Sequence, residues 1–235
     1  MNLPKKIDPC PIIEALIEIR FSALIHENAV FGLFYNVLKE DFPKVESLPI
    51  LQLPEPLRMA DPNLKFKPHY KIINQDFIVQ IGPDVFSIAS VPKYIGWGVF
   101  SNKIFDILSR INQLKVINDV LRLGIRYINF FEEDIFNDID LSISLKDNKI
   151  DYKNTVIRTE ISQEDFSSSL QIANNVNNVD RIGSVIDIDT FTSLNLDKFF
   201  SNKETIINRG HQKEKELFFS LLKEEFLKKL NPNYE

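Results

Sequence analysis

A chain of 235 residues can bury a core of ordinary size, and a hydrophobic fraction of 44% that includes 19 Phe excludes a disordered polymer. A formal net charge of -5 and a pI near 5.4 give no general attraction to phosphate backbones or anionic lipid, which makes nucleic acid a poor candidate partner. Cys10, the single cysteine, excludes an internal disulfide; the N-terminal segment lacks the apolar run of a signal peptide, and no stretch reaches the roughly 18 to 20 apolar residues that span a bilayer, so the expected setting is cytoplasmic, away from membrane.

The segment from Pro11 to Phe21 opens the pattern. Its Glu, Ala and Leu favour a helix, yet Ile13, Ala15, Ile17, Ile19 and Phe21 recur at every second position, and that period predicts a strand with one buried face. Asn28 is expected to cap a helix running to about Phe42, with Phe31, Phe34, Leu38 and Phe42 in one stripe and Pro43 ending it. From Lys44 to Pro68 five prolines (Pro49, Pro54, Pro56, Pro62 and Pro68) predict an extended surface excursion, because proline removes backbone donors. A meander of three short strands follows: His69 to Asn74, Phe77 to Ile81 and Val85 to Val91, turned by Gln75-Asp76 and Gly82-Pro83-Asp84. Tyr94 to Gly98 forms an aromatic, glycine-bearing corner before a helix from about Ser101 to Lys115, whose inner side carries Ile104, Phe105, Leu108 and Ile111.

Further strands are predicted at Leu121 to Phe131, Ile139 to Leu145, Asn154 to Ile161, Ser168 to Ala173 and Ser184 to Phe191, separated by turns rich in Asp and Asn. Ser201 and Glu204 make a capping-box pattern, and a long helix near Gln212 to Leu230 turns Leu217, Phe218, Leu221, Leu222 and Phe226 inward. Many strands with tight turns and no regular alternation with helices predict an α+β fold: a large curved, mainly antiparallel sheet with about three helices covering one face. Residues 1–235 are expected to form a single globular unit, or two packed lobes of 1–118 and 119–235.

Catalytic motifs are missing. There are seven glycines and no phosphate-binding glycine loop, nucleophile elbow or paired-cysteine motif, while His26, His69 and His211 lack the spacing of a zinc site. What recurs is charge on strands. Glu14, Glu18 and Arg20 share one face of the first strand; Arg122 and Arg126 share one face of the central strand, whose alternate face carries Tyr127; Arg158 and Glu160 share a face of a third strand, and Asp187 and Asp189 of a fourth. Neighbours two apart on a strand stand about 7 Å from each other on one side, so such strands placed together would build a wall of mixed charge. Glu14, Glu18, Arg20, Arg122, Arg126, Tyr127 and His211 are the candidate ligand-binding residues, and Asp187 and Asp189 the candidate metal pair. In a pocket the carboxylates could hold Mg²⁺ while arginines clamp a phosphate. On a solvated face the same charges make cross-strand ion pairs contributing about 0.2 to 1 kcal/mol each. His211 shares a side of the last helix with Phe218 and Leu222, the place either of a ligand contact or of a hydrogen-bonded, partly buried imidazole.

Pro11 to Phe21, Arg122 to Asn129, Asp187 to Asp189, and His211 with Phe218 together resemble a sporadically distributed family of uncharacterised bacterial and archaeal proteins of similar length. The resemblance spans essentially the whole chain apart from 44–68. It implies one continuous unit and no particular activity, and its irregular scatter implies an accessory role such as an antitoxin, immunity or phage-defence component. Glu18 to Arg20 is also similar to the acid-rich N-terminal strand of triphosphate tunnel enzymes, with Leu16 where that family has Glu and Arg20 where it has Lys.

Two functions are therefore expected in turn. The first is a non-enzymatic bacterial binding protein, without a cofactor, that holds another protein with its sheet and proline-rich excursion. The second is a Mg²⁺-dependent enzyme or binder acting on a phosphate-bearing small molecule or nucleotide. Homo-oligomerisation through a sheet edge or the terminal helix is compatible with both.

Overall fold

The computed structural model describes residues 3–146, 148–149, 152 and 154–234. Among the described residues nine strands form one open antiparallel sheet: β1 (Ile12–Ala23), β2 (Lys44–Ser47), β3 (Tyr70–Ile73), β4 (Phe77–Ile81), β5 (Val85–Ser90), β6 (Ile117–Phe131), β9 (Val156–Gln163), β10 (Phe166–Asn178) and β11 (Arg181–Thr192). Their order across the sheet is β2-β3-β4-β5-β1-β6-β11-β10-β9. A separate two-stranded pair joins β7 (Ser144–Leu145) to β8 (Asn148–Lys149). The longer helices are α1 (Glu27–Leu38), α3 (Trp97–Gln113) and α4 (Phe199–Leu221); α2 (Glu55–Ala60) and α5 (Glu224–Lys229) are six residues each. This is the α+β class that the strand periodicity predicts. None of the described helices is long and apolar enough to cross a membrane.

Contacts divide the chain into two compact units, neither of them one continuous segment. The first comprises the chain up to Ile13, Arg126–Thr190 and the chain from Arg209 onward; the second comprises Glu14–Ile125 and Phe191–Asn208.

In the second unit β1 obeys its period of two. Ala15, Ile17, Ile19 and Phe21 are buried, while Glu14, Leu16, Glu18, Arg20 and Ser22 are half-buried on the other side. Phe21 packs 5.8 Å from Phe34 of α1 and 5.9 Å from Phe86 of β5, all three sealed from solvent. Sealing one such side chain contributes about 1.5 to 3 kcal/mol, so a strand with this buried row outweighs the helix preference of its Glu and Leu. In the first unit Phe131, Ile172, Ile186 and Ile188 build a core with Leu217, Phe218, Leu222 and Phe226.

Four predicted elements need correction. The excursion from 44 to 68 is not a plain extended segment: β2 pairs with β3, a 3-10 turn covers Pro49–Gln52, and α2 follows. Pro49, Pro54 and Pro56 occupy the entry positions of those helical pieces, where no backbone donor is required. The first helix is capped by His26, whose Nδ1 accepts from Asn28 N at 3.3 Å, and ends at Leu38, while Phe42 is buried by the turn that follows. The predicted strand from Ile139 to Leu145 keeps regular pairing only at Ser144–Leu145, with Ile139 in an isolated bridge to Leu222. That bridge also divides the terminal helix. Asp140 N donates to Leu221 O at 2.7 Å and Lys223 N to Asp138 O at 3.0 Å, so the chain between α4 and α5 bonds laterally and Lys223 is extended.

Candidate functional site

The outward side of β1 carries the first cluster of candidate residues, in the second unit. Glu18 Oε1 accepts from Arg20 Nε at 2.8 Å and from Arg122 Nη1 at 3.1 Å. Both guanidinium groups lie over aromatic rings: Arg20 is 4.9 Å from the ring centre of Phe66, and Arg122 is 4.5 Å from that of Phe191. Arginine suits this because its planar, weakly hydrated cation can stack while its edge donates. The cluster is only partly covered, with Arg20 34%, Glu18 25% and Arg122 15% exposed. Glu14 sits half-buried on the same side of β1.

Strand register extends this face. Glu18 stands opposite Ser87, Ser87 opposite Gln80, Gln80 opposite Lys71, and Lys71 opposite Glu46. Glu46 binds Lys44 at 2.5 Å and Lys71 at 2.7 Å, and these hydrogen bonds hold its carboxyl down at about 2. The adjacent row is apolar: Leu16, Ala89, Ile78 and Ile73 stand opposite one another in turn. A polar row and an apolar row thus run side by side on this face, with Leu16, Ile78 and Ile73 half-buried and Ala89 buried.

The first unit places its candidates on two sides of β6. Arg126 forks onto Asp187 of β11, Nε to Oδ1 at 2.8 Å and Nη2 to Oδ2 at 2.6 Å. Asp189, two residues on, is half-buried. Tyr127 points the other way and is 2% exposed; its Oη lies 3.1 Å from His211 Nδ1 of α4. Burial, helped by the nearby Lys215 charge, drives His211 down to about 3, so this imidazole is neutral at physiological pH. One turn further along α4, Glu214 is 4% exposed, and burial pushes its carboxyl up to about 8 against the opposing pull of Lys215.

Glu214 is the group that sequence reasoning missed. Its signal was a carboxylate three residues from both His211 and Leu217, within the apolar stripe of the terminal helix. Other buried polar pairs also went unread, among them Ser168 and Thr190, 2.7 Å apart on adjacent strands. Arg158 and Glu160 are exposed on β9. In the aromatic corner Trp97 Nε1 donates to Asn208 Oδ1 at 3.1 Å and the indole meets Phe100 edge-on.

Chemically, the carboxylates of Glu18 and Asp187 are already engaged by arginines. Among the described residues no group of three or more His, Cys, Asp or Glu side chains converges where a metal ion could be held. No family model matches this chain, and no match is found among curated proteins.

Proposed function

We propose that this is a non-catalytic binding protein, and that the outward face of β1 around Glu18, Arg20 and Arg122 is the surface with which it holds another protein. The observation that carries this reading is the double anchoring of Arg20 and Arg122, each fixed on Glu18 and stacked on a phenylalanine while still reaching solvent. Arginines and aromatics are the residues in which protein interfaces concentrate their binding energy, and a side chain already held in place loses little entropy when a partner arrives. The half-buried Leu16, Ile78 and Ile73 beside it supply apolar surface whose removal from water favours association. An accessory antitoxin, immunity or phage-defence role rests on the family resemblance alone.

The competing reading, a Mg²⁺-assisted binder or enzyme for a phosphate-bearing ligand, draws on the same arginines, which are shaped to receive phosphate oxygens. One pair of experiments separates the two. Quantitative affinity capture from native cell extract, repeated with Arg20→Glu/Arg122→Glu, should give a saturable protein partner for the wild type that the variant loses. Titration calorimetry with Mg²⁺ and nucleoside triphosphates should give no heat. Stoichiometric nucleotide binding abolished by the same variant, with no partner lost in the capture, would overturn the proposal in favour of its rival.

A further inference from the structure

Among the described residues the outer edge of β9 is open. β9 is the terminal strand of the nine-stranded sheet; its eight residues pair without a bulge along β10, Val156 opposite Ala173 through Gln163 opposite Phe166, and among the described residues no strand pairs on its other side. An open edge of this length is a template for another strand, and proteins usually blunt such edges with proline, inward charge, a bulge or brevity. The opposite edge, β2, follows that rule: it is four residues long and carries the Lys44–Glu46 pair. β9 is twice that length, has no proline or glycine and leaves Val156 66% exposed, and its two charges, Arg158 and Glu160, are exposed and of opposite sign.

The sequence of β9 also reads as its own complement. If two copies of the strand run antiparallel about a two-fold axis at Thr159, Arg158 falls opposite Glu160 of the second copy and Glu160 opposite its Arg158. Ile157 and Ile161 then meet each other's counterparts on the opposite face. In each copy those two isoleucines are only partly buried against the core of the first unit, so pairing would complete their burial. Moving the axis by one residue puts arginine against arginine or glutamate against glutamate, which is unfavourable in directly opposed positions. Charge and apolar pattern thus favour one register, and a two-fold interface needs a self-complementary patch of this kind.

We propose that β9 is the seam of a homodimer in which two copies join edge to edge, antiparallel, with Thr159 on the two-fold axis. Sedimentation velocity on the full chain should give a species of twice 27.3 kDa that dissociates on dilution. Arg158→Glu places two glutamate pairs across the seam and should raise the dissociation constant about tenfold or more; adding Glu160→Arg restores the opposed signs and should bring it back to within about threefold of wild type. Circular dichroism checks that each variant keeps its fold. In a Cys10→Ser background, Thr159→Cys should cross-link copies under mild oxidation, because its counterpart lies directly across, whereas Ser162→Cys, whose counterpart is Val156, should not. A concentration-independent monomer, a dimer indifferent to Arg158→Glu, or failure of the double reversal to restore it would each overturn the assignment.

Discussion

Arg126 and Asp187 form a two-bond fork across neighbouring strands, and they do so with Asp187 15% exposed and Arg126 41% exposed. The carboxylate is therefore the covered partner, and loss of the guanidinium strands it. Arg126→Ala should cost about 1 to 2 kcal/mol, and Arg126→Lys should recover less than half of that, since an ammonium cannot donate the parallel pair. Urea denaturation of the three proteins measures it. A lysine variant as stable as wild type would show that only the charge counts.

His211, half-buried, and Glu214, buried one turn further along α4, give the fold a pH dependence. His211 is lowered to about 3 when folded, so the unfolded chain binds a proton between its ordinary value of 6.5 and 3 that the folded chain refuses, and stability falls as pH drops through that window. Glu214 is raised to about 8 from 4.5, so the folded chain keeps a proton that the unfolded chain releases, and stability falls as pH rises from 4.5 to 8. Between 4.5 and 6.5 the two slopes oppose each other. From 6.5 to 8 only Glu214 of these two contributes, and its loss should be on the order of 2 kcal/mol at roughly 1.4 kcal/mol per pH unit. Glu214→Gln should flatten that limb in urea titrations at pH 6.5, 7.3 and 8; an unchanged slope would remove Glu214 as its source.

Two glycines should respond in opposite directions to alanine. At Gly183 an added methyl would collide with the carbonyl oxygen of Phe131 and stand 2.7 Å from Phe130 Cζ, where one neighbour is backbone and cannot swing aside. Gly183→Ala should cost about 2 to 3 kcal/mol through overpacking. Gly32, exposed within α1, has nothing within 4 Å of that position, so Gly32→Ala should add about 0.5 to 1 kcal/mol by restricting the unfolded chain. Thermal unfolding of both variants checks the pair.

Phe34 lies within 6 Å of both Phe21 and Phe86 and is sealed from solvent. Phe34→Ala should cost about 3 to 5 kcal/mol, while Phe31→Ala on the same helix, half-buried against Tyr70, should cost clearly less. Equal losses would mean that α1 packs by its outer stripe.

Short-range pattern carried most of the element identities. Phe77–Ile81 is β4 residue for residue, and β1 and β6 were recognisable because alternation over ten residues has few other physical causes. Boundaries failed where a distant segment supplied the deciding hydrogen bonds. Lys223 lies in a helical pattern, yet the helix breaks there, where Asp138 O accepts from the Lys223 N–H and Asp140 N donates to Leu221 O. Proline misled in the stretch from 44 to 68, since its position within a turn, rather than its presence, decides whether it breaks structure.

For the candidate site, the amino-acid order alone determined which charges share a face, because side-chain direction on a strand alternates with fixed period: Glu18 with Arg20, Arg122 with Arg126, and Arg158 with Glu160. Only the tertiary structure decided who meets whom. Glu18 and Arg122 are 104 residues apart, and Tyr127 and His211 are 84 apart. No local propensity encodes such distances. They follow from strand order and from which faces the helices seal, so the cooperative burial of Phe21, Ile172 and their neighbours, rather than any attraction between the charges, brings those pairs within hydrogen-bonding reach.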